Sequence, residues 1–327
     1  MTTAKLDVVG IGNAIVDVIS QADDAFLAAH AMDKGAMMLI DEERAEAIYG
    51  AMGPGIEASG GSAGNTIAGI ASLGGKAGYI GKIRDDLLGK VYRHDITAAG
   101  VAFPTPAATS GPATARCLIL VTPDAQRTMN TFLGACVGLG PDDVDAEFVA
   151  SAQVTYLEGY LYDPPLAQAA FRRAAEIAHA AGRKVALSLS DSFCVHRHCQ
   201  AFLDLVEGHV DILFANEAEL TALFETGNFD DAVARVRRMV ELAAVTRGAK
   251  GSVVVTRDEL VEVPAAPVAR VVDTTGAGDL YAAGFLYGLT RQLPLAECGR
   301  IGSLAAAEII SHYGARPETP LAAYIQA

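Results

Sequence analysis

The chain has 327 residues, 51% of them hydrophobic, which allows one large α/β body with a substantial core and excludes wholesale disorder. Against 25 basic residues stand 39 acidic ones, a net charge of −14, which argues against nucleic acid or an anionic membrane as partner. The five cysteines make no disulfide framework and no apolar run is long enough for a membrane span, so a reducing, cytoplasmic setting is expected.

Leu6–Ile11 is a short apolar run closed by Gly12 and predicts a buried strand. Helices are expected over 41–49 and 62–73, a strand over 77–83, and a helix over 87–99 that Gly100 ends. Strands over 113–121 and 127–133 flank the turn Thr122-Pro123-Asp124, a paired excursion inside an otherwise alternating pattern. Alternation resumes at Pro141, a residue suited to the first helical position. Strands over 154–157 and 184–189 bracket a helix over 166–181. A strand over 212–214 then runs into Asn216, a good helix cap, with helices over 217–224 and 230–242 beyond it. Strands over 243–246, 252–256 and 260–263 and helices over 277–290 and 295–310 complete the chain. Such alternation implies an α/β fold, with a mostly parallel central sheet covered by helices on both faces. Ligands of such sheets sit beyond the carboxyl ends of the strands.

The chemistry concentrates in Asp273-Thr274-Thr275-Gly276-Ala277-Gly278-Asp279, which feeds directly into an apolar helix. A glycine-rich turn opening a helix leaves backbone N–H groups unpaired and adds the positive end of the helix dipole. Gly276, Ala277 and Gly278 therefore predict an anion hole for a phosphoryl group. A carboxylate beside a phosphate site repels its ligand, so Asp279 needs a reason to be there. A general base that takes the proton of an attacking hydroxyl is such a reason; a dipole-stabilised helix carboxylate is the plainer alternative.

This string resembles the signature of the PfkB, or ribokinase-like, carbohydrate kinases, and other marks of that family follow in the expected order. Gly60-Gly61-Ser62-Ala63-Gly64-Asn65 resembles its sugar-binding GG-x-x-x-N motif, and Asn216-Glu217-Ala218-Glu219 its N-x-x-E motif near magnesium and phosphate. Thr246-Arg247-Gly248-Ala249-Lys250-Gly251 resembles its nucleotide loop. The resemblance runs from about residue 6 to about residue 318. It implies a single ATP-dependent kinase domain over 1–327, with a small discontinuous β lid at approximately 13–41 and 103–134, acting on a hydroxyl of a small sugar or nucleoside.

The resemblance also implies ligands. Asp17, Gly60, Gly61 and Asn65 would grip the acceptor; Thr246, Arg247, Gly248, Gly251 and Asn216 would meet the nucleotide. Asn216 and Glu219, three apart at a helix start, share a face and would hold hydrated Mg2+, although Glu219 also suits a plain capping box. Asp273 and the Thr275 carbonyl are candidate ligands for K+, and Arg127 for the phosphates. VDILFANEAELTALF and the stretches 33–39 and 127–136 are similar to the adenosine kinase subgroup, whose lid carries an apolar slot for the base. Met37, Leu39, Phe132, Tyr160 and Leu161 would line it here. Leu161 departs from that subgroup, which has an aromatic after Gly159-Tyr160, so other nucleosides and the plain sugars ribose, fructose and 2-keto-3-deoxygluconate stay open, as does a monomer or homodimer. Two rivals carry less. Gly10-Ile11-Gly12 begins a dinucleotide fingerprint but Ile15 fills the third glycine position, and a non-catalytic sensor need not keep Asp279.

Overall fold

The computed structural model describes residues 4–124 and 126–325. Its first strands are β1 (Leu6–Ile11), β2 (Ile15–Gln21), β3 (Met37–Leu39), β4 (Gly55–Ser59) and β5 (Ala77–Ile80). They are followed by β6 (Ala115–Val121), β7 (Arg127–Phe132), β8 (Ala152–Glu158), β9 (Lys184–Ser188) and β10 (Ile212–Asn216). The last three are β11 (Leu242–Thr246), β12 (Ser252–Thr256) and β13 (Leu260–Val263).

Eight strands form the main sheet in the order β13-β12-β11-β10-β9-β8-β1-β5, parallel from β5 to β11 and antiparallel only at β12 and β13. This is the α/β architecture of ribokinase-like kinases. Helices cover both faces and divide the core in two. One half gathers Val8, Tyr79, Tyr156 and Phe214 under the helices Ser62–Ser72 and Ala277–Thr290. The other gathers Val9, Leu157, Leu187 and Leu213 under Pro165–Ala180 and Ser192–His209. Alternate residues of each strand serve opposite halves, which is why the strands read as unbroken apolar runs.

A second sheet, in the order β3-β7-β6-β2-β4, stands apart from the first. The chain passes between the sheets at Gly12–Ala14, after Ser59, between Ile80 and Ala115, and after Phe132.

The differences from expectation are local. Leu242 opens β11 rather than ending the preceding helix, which stops at Val236. Pro141 begins only a three-residue 3-10 turn. The strands β2, β3 and β4 and the 18-residue helix Ser192–His209 were not expected. The helix is broken by non-helical angles at His198. No helix among the described residues is long and apolar enough to cross a membrane.

Candidate active site

The helix Ala277–Thr290 starts without a side-chain cap. Its cap position is Gly276, in the left-handed region at φ +79°, where a side chain would be strained and would press on Ala315. The Ala277 N–H turns back to the Thr274 carbonyl at 3.2 Å. The cup thus relies on the N–H groups of Gly278 and Asp279, which no intrahelical acceptor can serve. Three apolar turns follow, burying Leu280, Ala283 and Phe285 and fixing the direction of the helix axis.

The carboxylate of Asp279 is half-buried at the rim of this cup. It accepts from Ser62 Oγ at 2.6 Å and from Asn65 Nδ2 at 3.0 Å, and among the described residues it makes no ion pair. Burial pushes its proton affinity up, while those two bonds and the charge of Arg316 pull it down. Both donors stand on the first turn of the helix Ser62–Ser72, immediately after Gly60-Gly61. A Cβ at Gly60 would fall on the Asp17 carboxylate, and one at Gly61 (φ +83°) on the Asn13 carbonyl. Asp17, on β2, therefore faces the diglycine turn. Its carboxyl is pushed up to about 6, chiefly by burial and further by Asp279, against Arg316 and Arg127. Asn65 Oδ1 is buried without a partner, a polar atom suited to a ligand hydroxyl.

Glu219 closes a capping box. Asn216 N and Nδ2 donate to its two oxygens at 2.9 and 2.5 Å, and Asn216 Oδ1 receives the Glu219 N–H at 2.8 Å. The capping role weighed from sequence is therefore real. Burial first, then the nearby Asp191 and Asp279, raise the Glu219 carboxyl to about 7. Asn216 sits opposite Thr246 in the parallel pairing of β10 and β11, so the N-x-x-E motif and the nucleotide loop share one edge. In that loop Gly248 and Gly251 both have positive φ. Arg247 is drawn to Glu217 at 3.0 Å and over the Phe229 ring at 4.2 Å, which ties it to the adjoining helices.

Arg127, at the start of β7, pairs with Asp273 and donates to Thr275 Oγ1 at 3.2 Å. Its guanidinium thus reaches across from the small sheet to the loop before the cup. Asp273 also receives Thr275 N and Oγ1 at 3.0 and 2.7 Å and Gly314 N at 3.2 Å, so both of its oxygens are engaged.

The residues expected to form a base slot separate. Leu39 and Phe132 line an apolar pocket of about 230 Å³ with Ile40, Leu133 and Val137. Met37 is exposed beside Leu39 on β3, and Tyr160 is half-exposed just beyond β8. Leu161 is 1% exposed and packs in the core with Tyr162 and Phe171, so it does not face the slot. Its place in a 3-10 turn explains this, since successive residues there point a third of a turn apart.

One residue went unnoticed in the sequence. Glu158, the last residue of β8, is 1% exposed. It accepts from Asn13 Nδ2 at 2.6 Å and Ala63 N at 2.7 Å, and burial raises its carboxyl to about 7. It ties the β1–β2 crossing to the first turn of Ser62–Ser72. A single acid ending the apolar run Val154–Leu157 was the available signal.

An uncapped helix start with free N–H groups, beside a carboxylate that makes no ion pair among the described residues, is the equipment of a phosphotransferase. The profile of the pfkB family carbohydrate kinases matches residues 56–322, and the chain belongs to that family. It is an ATP-dependent kinase with a hydroxyl group as acceptor, a nucleoside or sugar kinase whose neighbours place it with the adenosine kinase-like members. The chain is 56% identical to the crystal structure of adenosine kinase from Sinorhizobium meliloti, over 99% of both chains, with a TM-score of 0.91. It is 24% identical to adenosine kinase 2 of Arabidopsis thaliana, over 95% of this chain and 96% of that protein. Against 5-dehydro-2-deoxygluconokinase of Shouchella clausii the identity is 28%, over 82% of this chain and 85% of that protein.

Proposed function

We propose that the protein transfers the γ-phosphoryl group of ATP to the 5′-hydroxyl of a nucleoside, with adenosine as the preferred acceptor and Asp279 as general base. The observation that carries this reading is the Asp279 carboxylate. It is held by Ser62 and Asn65 at the mouth of the uncapped helix, with no cation paired to it among the described residues. Adenosine is favoured by the likeness to the Sinorhizobium meliloti enzyme and by the apolar pocket between Leu39, Phe132 and Val137.

On this reading Asp17, Asn65 and the Gly60-Gly61 turn hold the ribose hydroxyls, and Asp279 takes the proton of the 5′-hydroxyl as its oxygen attacks the γ-phosphorus. ADP leaves, and the N–H groups of Gly278 and Asp279 receive the transferred phosphoryl charge. Arg127 approaches the same phosphates from the small sheet. Asp17 and Arg127 move with a lid formed by the small sheet, whose closure excludes water and limits wasteful hydrolysis of ATP.

The donor set fits Mg2+. The charges of Asp191 and Asp279 reach Glu219, and this negative potential, which adds to burial in raising its proton affinity, favours a divalent ion. No group of three or more acids, cysteines or histidines among the described residues could cage an ion. Asn216 and Glu219 would thus hold it through water. When bound, the ion neutralises charge on the ATP phosphates. For K+ at Asp273 and Thr275, Arg127 would have to leave Asp273, and replacing K+ by tetramethylammonium tests the requirement.

The reading is tested by product formation from MgATP with adenosine, inosine, guanosine, ribose, fructose and 2-keto-3-deoxygluconate. Adenosine is expected to exceed every sugar by a wide kcat/KM margin. A plain sugar as the best acceptor overturns the nucleoside assignment and favours the alternative kept alive by the likeness to the gluconokinase.

A further inference from the structure

Arg316 lies in the loop that follows the helix Leu295–Ile309, and neither the sequence motifs nor the proposed chemistry uses it. Its guanidinium makes three bonds. Nε donates to the Ser59 carbonyl at 2.9 Å, Nη2 to Ser59 Oγ at 2.9 Å, and Nη1 to the Gly64 carbonyl at 2.5 Å. Ser59 ends β4 and Gly64 lies in the first turn of Ser62–Ser72, so the three acceptors flank the Gly60-Gly61 turn on both sides. The loop carrying Arg316 is in turn fastened to the phosphoryl end. Gly314 N donates to Asp273 Oδ2 at 3.2 Å, and Val272 N to the Ile310 carbonyl at 2.8 Å.

We propose that Arg316 is a positioning residue: it clamps the Gly60-Gly61 turn and the helix start carrying Ser62 and Asn65 in register with Asp279, so that alignment of the acceptor hydroxyl with the phosphoryl cup depends on it. The proposal rests on the reading above that the acceptor is held at this turn. Gly61 sits at positive φ with its backbone against Asn13, and the Tyr92 hydroxyl stands 3.5 Å from the Gly60 carbonyl, at the edge of hydrogen bonding. Gly60 N is held by the Ile15 carbonyl at 2.8 Å and Ser59 N by Asp95 Oδ2 at 2.7 Å, but the guanidinium is the tie that joins the two flanks, because its planar fork meets acceptors on both at once, which an ammonium cannot.

Arg316 also acts by charge. It counters burial at both Asp17 and Asp279. The other charged or titratable groups facing that space are Arg127 and Cys117, beside Asp17; Tyr92, which feels Arg316; Asp95, which holds Ser59 N; and Glu158, Glu219, Tyr156 and Tyr160, which all feel Asp279. Arg316 is the cation acting on both carboxylates.

The two contributions separate in R316K and R316Q, assayed with adenosine and MgATP beside Asn65→Ala. Loss of the fork is expected to raise the adenosine KM and lower kcat, each by about tenfold or more, in both Arg316 variants, with the ATP KM within about twofold. Only R316Q, which loses the charge, should move the acid limb of kcat/KM to higher pH. Wild-type adenosine KM and kcat in R316Q overturn the clamp, as does an equal rise of both KM values, which marks general loosening. Should R316Q not fold, S59A decides: it removes one of the three acceptors, and an adenosine KM raised about threefold supports the clamp whereas an unchanged one overturns it. An unchanged adenosine KM in Asn65→Ala sinks the underlying reading of the acceptor site. An impaired Asn65→Ala beside an intact R316Q sinks the clamp alone.

Discussion

The two sheets hold their residues in opposite ways. In the main sheet β1, β8, β9 and β10 lie between helix layers and are buried along nearly their whole length. In the small sheet β2, β6 and β7 are largely buried, but the edges are open: β3 exposes all three of its residues and β4 its Gly55 and Ile56. Asp279 and Glu219 are rooted on elements packed against the first; Asp17, Arg127 and Leu39 ride on the second. Where backbone is fixed by packing on both sides, a functional group keeps its place without a ligand. Where it is fixed on one side, partners across the cleft must finish the job, as Arg127 does with Asp273. Substitutions in the rooted part should therefore change chemistry or stability, and those in the open part should change acceptor binding with the fold intact.

The largest effect expected is at Asp279. Asp279→Asn keeps the size and one acceptor oxygen for Asn65, with the Ser62 hydroxyl turning to accept from the new amide, but it removes the base, and kcat should fall by about 10²–10⁴. Circular dichroism and Tm should stay those of the wild type, because the residue is a half-buried helix-start side chain rather than part of the core. A variant with near-normal turnover would break the assignment and with it the claim that the rooted sheet carries the chemistry.

The rooted part is also the part a reader of the sequence can see. The capping box at Asn216 and Glu219, the strand β10 before it and the turn into Ala277–Thr290 all follow from local rules of spacing, capping and glycine placement. The open part obeys weaker rules. β3 has three exposed residues and no alternation to detect, and β4, reading Gly-Ile-Glu-Ala-Ser, is an edge strand with a glycine and a glutamate in it. The helix Ser192–His209 carries Cys and His residues that break up its apolar period. In the fold Cys194 Sγ donates to the Gly159 carbonyl and the His198 ring bonds Asp163, and the helix bends there. The partners of Glu158 and Arg316 were hidden for another reason: they lie 95 or more and over 250 residues away in sequence, and only the folded chain brings them together.

The next effect sits on the seam between the two parts. Glu158 holds Asn13 and Ala63, and its folded carboxyl titrates at about 7 against an ordinary value of 4.5. The folded state therefore binds the proton more tightly than the unfolded chain. Stability from this group is fully present below about pH 4.5 and is lost as pH rises to about 7, on the order of 1–3 kcal/mol. Asp17, Glu219 and Asp279 are raised in the same direction, so Tm should decline across this window. In Glu158→Gln the decline should flatten, because one of the four groups no longer titrates. Thermal melts from pH 4.5 to 7.5 measure it, and parallel slopes in the two proteins would show that Glu158 stays ionised throughout and that the seam is not what the pH dependence reports.

The smallest effect should come from the open sheet, and it sharpens the comparison most. Leu39 is 53% exposed on an edge strand, yet it lines the apolar pocket with Phe132 and Val137. A side chain half in water contributes little to folding, so Leu39→Ala should change stability by no more than about 0.5 kcal/mol. If adenosine covers that pocket, the same truncation removes apolar contact that forms only in the complex, and the adenosine KM should rise about three- to tenfold with kcat nearly unchanged. A uniform loss of binding of this kind is what a wall of the slot would produce, whereas a fall in Tm with an unaltered KM would make β3 a packing element and move the base elsewhere. Running ribose beside adenosine separates the two arms further: an acceptor without a base should not register the loss of Leu39 at all.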